Sequence, residues 1–199
     1  MMKIGLTGSI ACGKSTVSAY LRALGHVVVD ADAISHSLTA PCGAALDAIR
    51  EAFGDGVFDG DMLDRRALGS VVFSSPEKRE TLNAILHPMI ISTIQAEMDA
   101  HDAPDQLVFG DIPLLYECDM AHMFDQVWVV SVPEDVQLDR IVMRDGLSRE
   151  DAQKRIDAQM PLAKKRALAD AVIDSSGTIE NTRCQIDALI RTLLPRRKS

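Results

Sequence analysis

Residues 8–15 read Gly-Ser-Ile-Ala-Cys-Gly-Lys-Ser, a glycine, four free positions and then Gly-Lys-Ser. This is the spacing a chain needs to wrap around a phosphate. Gly8 and Gly13 permit the tight path, and successive backbone N–H groups, added to the positive end of a following helix, can neutralise anionic oxygens without bulky side chains. Lys14 would reach the β/γ oxygens of a nucleotide and Ser15 would help hold magnesium. The nucleotide, taken as ATP, would meet Gly8, Ala11, Cys12, Gly13, Lys14, Ser15 and Thr16. Cys12 has two readings. A thiol near a helix N-terminus is made more acidic and reactive, or it points away from the ligand and is inert; the second is favoured.

A phosphate loop says nothing about the acceptor. Acidic residues ending buried strands do, because open α/β sheets bind ligands at the carboxyl ends of their strands. In HVVVDADAI these are Asp30 and Asp32, and in LVFGDIPLLYE it is Asp111. Asp32 is the favoured group for orienting an acceptor hydroxyl, a task in which position matters more than basicity because the proton leaves late in phosphoryl transfer. Either Asp30 or Asp32 could instead cap the next helix. Asp111 suits a magnesium-holding carboxylate, acting through water.

Cations for a transferring phosphoryl group come from PEDVQLDRIVMRDG, where Gln137, Arg140 and Arg144 fall on one helical face. Two arginines there could close over a triphosphate like a lid, or could pair with Asp139 or Asp145 on a solvated face. The later run KRIDAQMPLAKKR reads as solvated surface. Arg65 follows Asp64, a helix cap by type, and would open a helix. His87, before Pro88 in an apolar helical pattern, reads as a core histidine from its own surroundings.

These groups need a frame. The runs KIGLT, HVVVD, QLVFGDI, QVWVVSV and AVID alternate with helical patterns, which predicts an α/β fold with a mainly parallel sheet. Between HVVVD and QLVFGDI lie roughly seventy-five residues without a convincing strand, too many for one crossover, so an inserted helical subdomain is expected. Helix KSTVSAYLRAL should stop at Gly25, and a second helical excursion should break near Asp145-Gly146 and restart at Ser148, with Ser148 and Asp151 resembling a capping box.

The 199 residues suffice for one domain with an insertion, and the net charge of −8 argues against a nucleic-acid partner held on a broad basic surface. The basic end PRRKS reads as a solvated tail. Cys12, Cys42, Cys118 and Cys184 are far apart and fit neither a zinc site nor a disulfide framework, which favours a cytoplasmic location. No segment has the length of a membrane span, and no secretory leader is seen. Oligomeric state is not legible.

Taken together, IGLTGSIACGKSTV, VVDADAI, the FG…DG…LDRRAL…VF series, LNAILHP, DIPLLYE, the Gln137/Arg140/Arg144 helix and ADAVIDSSG resemble the dephospho-CoA kinase family over nearly the whole chain. DIPLLYE and ILHP discriminate, since many unrelated nucleotide-binding proteins share the loop. The resemblance implies a single domain over residues 3–195: a P-loop NTPase-like, three-layer core (3–32, 106–134 and 170–195), a helical CoA-binding insertion (about 33–105) and a helical lid (about 135–169). It implies ATP-dependent phosphorylation of the ribose 3′-hydroxyl of dephospho-CoA, with Mg2+. Lys14, Asp32 and Arg140 become catalytic. Arg65, His87, Pro113, Leu114 and Glu117 join Asp32 as acceptor-binding residues, Arg144 becomes an ATP contact, and Ser15 and Asp111 hold the metal. Two departures stand out: Ser9, Ala11 and Cys12 replace the family's Gly, Gly and Ser, which strains the loop wherever a replaced glycine needed positive φ, and VIDSSG lacks the usual Asn. Two alternatives remain, a kinase for another nucleotide-like alcohol and an ATP-dependent switch.

Overall fold

The computed structural model describes residues 1–194; the basic end PRRKS, read above as a solvated tail, lies outside the described residues. Contacts divide the chain into two units, Met1–Val29 with the described residues from Met98 on, and Asp30–Glu97.

The first unit is built on a five-stranded sheet in the order β2-β5-β1-β6-β7. Its strands are β1 (Met2–Gly8), β2 (Val27–Asp30), β5 (Leu107–Asp111), β6 (Gln126–Ser131) and β7 (Ala171–Asp174). β1 pairs in parallel with β5 and with β6, and β6 with β7. Their continuous apolar runs fit strands covered on both faces. Ile4, Leu6, Leu107, Phe109, Trp128 and Val130 are buried, and the Phe109 ring meets Trp128 edge-on at 5.4 Å between centroids. Burying each large side chain contributes about 1.5–3 kcal/mol. Helix α1 (Lys14–Ala23) covers this core with Val17 and Leu21 and ends at Gly25, at φ 87°.

Register fixes where the chemistry falls. Leu6 lies opposite Asp111 and Gly8 opposite Val130, so β1 delivers its loop beside the end of β5. Beyond β6 come α6 (Glu134–Asp145), α7 (Arg149–Asp157) and α8 (Leu162–Leu168). α6 stops at Gly146 in the left-handed region. Ser148 then caps α7 through the Asp151 N–H, as the sequence predicts. Pro161 starts α8, a further break, and α9 (Ile179–Leu193) closes the unit under a Thr178 cap.

The second unit carries α2 (Ala31–Leu38), α3 (Leu46–Phe53), α4 (Arg65–Ser74) and most of α5 (Pro76–Asp99). Asp30 caps α2 and Asp64 caps α4. One difference from expectation is a small antiparallel hairpin, β3 (Phe58–Asp59) with β4 (Met62–Leu63). Strands of two residues have no period to read, which leaves such a hairpin without a sequence signal.

Candidate functional site

The loop after β1 presents a bare helix start. Gly13 is the N-cap of α1 at φ 87°, with no side-chain cap and no acid in the first turn. By contrast α2, α4, α7 and α9 each have a side-chain oxygen on their first amides. An uncapped N-terminus followed by Lys14 and Ser15 is an anion site by construction. A Cβ on Gly13 would lie 3.0 Å from Ser175 Oγ, and one on Gly8 would collide with the Cys12 thiol and lie 2.8 Å from the Val130 carbonyl.

Ala11 sits at φ 57°, so one of the two replaced glycines does occupy a left-handed position. An L-residue there costs about 1–2 kcal/mol. Contacts from outside the loop hold it in place. The Gln137 amide, buried on α6, donates to Ser9 Oγ (2.7 Å) and the Ile10 carbonyl (2.7 Å), and Gln159 accepts from Ser9 Oγ (3.0 Å) and the Ile10 N–H (2.9 Å). From the other side the Arg140 guanidinium donates to the Ser175 carbonyl (2.7 Å) and reaches Ala11 O at 3.4 Å, while Ser175 Oγ donates to Cys12 O (2.5 Å). The Cys12 side chain is turned inward, 1% exposed, and burial pushes its thiol up from the ordinary range. That is the inert of its two readings.

Lys14 forms an ion pair with the buried carboxylate of Asp111, whose second oxygen accepts from Ser18 Oγ at 2.5 Å. The loop lysine and the strand-end acid, predicted from segments a hundred residues apart, therefore meet. Ser15 and Thr16 are exposed and, with Ala11, Gly13 and Arg140, line a cavity of about 500 Å³. Met143, 86% exposed, and Ile179, 51% exposed, give it apolar walls. Arg144 lines it too, held in a two-bond pair with Asp145 (2.7 and 3.0 Å) that raises the guanidinium pKa and lowers that of the carboxyl. It has the solvated-face partner that its sequence allowed.

After Asp111 the chain runs into the Pro113–Glu117 loop. Thr7 Oγ1 donates to the Pro113 carbonyl (3.0 Å), Leu114 is 42% exposed, and Glu117 Oε1 accepts from the Met160 N–H (3.0 Å). Glu117 also pairs with Lys165 at 2.8 Å. Lys165 contradicts the reading of KRIDAQMPLAKKR as solvated surface: it is fully buried, donating to Gly8 O and Pro113 O, both at 3.0 Å. Composition could not distinguish it from exposed Lys164 beside it; its place on the inward face of α8 decides. Gln159, Ser175 and Ser18 were likewise not singled out, being common polar types without a motif.

In the second unit Asp32 lies in the first turn of α2, exposed, while Asp30 serves as the cap by accepting from the N–H groups of Asp32 and Ala33 (3.0 and 3.1 Å). Arg65 opens α4, as predicted, and donates to the His36 carbonyl (3.2 Å) and Thr39 Oγ1 (2.8 Å). His87 is exposed on α5, so it is not the core histidine its apolar surroundings suggested.

Magnesium fits this donor set. Among the described residues no three His, Cys, Asp or Glu side chains gather to hold a metal, and magnesium does not need such a cage. It is bound through one or two carboxylates, substrate phosphates and water, for which Ser15 and Asp111 are suitable donors.

Known proteins give this geometry a family. The model of the family described as CoaE: Dephospho-CoA kinase matches residues 2–181. A dephospho-CoA kinase from Shouchella clausii is 46% identical over 96% of this chain and 98% of its own length. The crystal structure of TT1252 from Thermus thermophilus superposes with a TM-score of 0.82 at 36% identity, covering 96% of this chain and 97% of that one. The dephospho-CoA kinase from Campylobacter jejuni gives 0.68 at 28% identity, with 98% of each chain covered. A parallel sheet carrying a glycine-lysine-serine loop, matched over this length and at this identity, leaves one conclusion: the chain belongs to the dephospho-CoA kinase family.

Proposed function

We propose that the chain transfers the γ-phosphate of ATP to the ribose 3′-hydroxyl of dephospho-CoA, giving coenzyme A and ADP, in the cytoplasm and with Mg2+. The observation that carries the ATP half is the uncapped start of α1, with Gly13 at φ 87°, Lys14 and Ser15 beside the buried carboxylate of Asp111. Family membership carries the acceptor half.

In this reading the phosphates lie on the N–H groups of the loop, and the base enters the cavity between Met143 and Ile179. Ser15 and Asp111 would hold magnesium, which would supply neutralisation of the phosphate charge. Lys14 exchanges Asp111 for phosphate oxygens. Arg140, anchored by its Ser175 bond, stabilises charge as it spreads over the transferring group, and Arg144 contacts ATP. Asp32 orients the acceptor hydroxyl. Arg65 and His87, with Pro113, Leu114 and Glu117, bind the acceptor.

The test is ADP release measured with dephospho-CoA, AMP, pantetheine and no acceptor. Turnover with dephospho-CoA alone is expected, because a kinase that excludes water spares ATP until its acceptor is bound. Equal release with and without acceptor would instead describe a switch. Asp32→Asn should lower kcat by about 100-fold or more; an unimpaired variant would remove the role given to that residue.

A further inference from the structure

Lys165 has no part in the reaction as described, yet it has the most enclosed charge in the first unit. Its ammonium has three donors and meets three acceptors: the Gly8 carbonyl at 3.0 Å, the Pro113 carbonyl at 3.0 Å and Glu117 Oε1 at 2.8 Å. None is left for solvent or a ligand, and the side chain is 0% exposed. Gly8 is the last residue of β1, where the phosphate loop begins, and Pro113 follows β5 by two residues. The lysine therefore spans the start of one loop and the start of another.

Stability alone does not explain a charge there. Burying an ion pair gains little over apolar residues of the same volume, because desolvation offsets the attraction. What a three-acceptor ammonium supplies is a fixed geometry among the groups it joins. The two loops are not equally dependent on it. The phosphate loop is held further along, at Ser9, Ile10, Ala11 and Cys12, by Gln137, Gln159, Arg140 and Ser175. The Pro113–Glu117 loop is tied to neighbouring segments by the Thr7 bond to Pro113, the Met160 bond to Glu117 and the buried Leu115 side chain beside Gly5 of β1, so at its two ends Lys165 joins a single hydrogen bond each.

We propose that Lys165 is a positioning residue for the acceptor: it registers the Pro113–Glu117 loop against the end of β1, so that acceptor binding and turnover depend on it while affinity for ATP does not. The inference rests on the acceptor role given above to that loop. A displacement of about 1 Å in a positioning element can cost on the order of 100-fold in rate.

The test uses the full chain with Lys165→Met and Lys165→Gln. ATP affinity is measured by equilibrium binding without acceptor, and kcat and KM are measured against dephospho-CoA. For Lys165→Met the expected result is an ATP Kd within about threefold of the parent and kcat/KM for dephospho-CoA lowered by about 100-fold. Lys165→Gln keeps two N–H donors for these acceptors, so it folds if Lys165→Met does not, and shows the same split at about tenfold. Loss of ATP affinity in step with acceptor affinity would overturn the proposal, as would unchanged kinetics with only a lowered Tm. The parent's turnover of dephospho-CoA tests the reading beneath the inference, and the split between the two ligands in the variants tests the inference itself.

Discussion

Lys14 on α1 and Asp111 at the end of β5 form an ion pair, with the carboxylate buried and its other oxygen held by Ser18. In the proposed reaction Lys14 meets phosphate and Asp111 magnesium, so ligand binding would part them. In the free chain each keeps the other neutralised, which limits the cost of an ammonium and a carboxylate in a half-dry site.

Asp111→Asn should therefore shift two quantities in opposite directions. Without magnesium, ATP should bind about fivefold to tenfold tighter, because Lys14 no longer has a competing anion. With magnesium, kcat should fall by about 100-fold or more. Nucleotide titrations with and without the metal, followed by turnover, check both; weaker binding in the absence of metal would contradict the competition.

Ala11 and Gly13 share positive φ but not side chain. Ala11→Gly should relieve about 1–2 kcal/mol of strain and add about 0.5–1 kcal/mol of unfolded-chain freedom. The net expectation is a Tm higher by about 1–4 °C with activity retained. Gly13→Ala should lower Tm and abolish ATP binding, since its Cβ would press on Ser175 at 3.0 Å. Thermal melts of the two variants decide; equal shifts would show that φ is not the governing factor.

Cys12 should behave as a packed thiol. Burial raises its pKa, so at pH 7–8 it stays protonated, and it is only 1% exposed. Maleimide labelling read by mass spectrometry should mark exposed Cys42 and Cys184 first, and Cys12 only after denaturation. Native labelling of Cys12 as fast as Cys184 would restore the reactive reading.

Gln137 should give the mirror image of Lys165. Gln137→Ala leaves the Ile10 carbonyl without its donor, a loss of about 2 kcal/mol that should lower Tm by about 4–8 °C. ATP Kd should rise about tenfold while KM for dephospho-CoA stays within about threefold. Binding isotherms and acceptor kinetics on the same preparation check this, and a rise in acceptor KM alone would contradict it.

The strands, the loop, the break at Gly146 and the caps at Asp64 and Ser148 were legible because each rests on local chemistry: period, glycine conformation, a short acceptor side chain before a helix. Asp111 was legible because a strand-end acid has few structural uses. The cradle under the loop was not. Gln159, Lys165 and Ser175 come from segments read as surface or as a degenerate motif, and their importance lies in what they touch across roughly 150 residues of chain. His87 shows the converse: apolar neighbours in sequence misled, because a helix turns residues one apart to different faces.

The most direct test of phosphoryl transfer to the ribose is where the phosphate goes. With ATP labelled in its γ-phosphate, Mg2+ and dephospho-CoA, the expected result is label on the ribose 3′-oxygen, one ADP per coenzyme A formed, and none of this with Lys14→Ala. Label released as inorganic phosphate, or carried on any other oxygen of the acceptor, would contradict it.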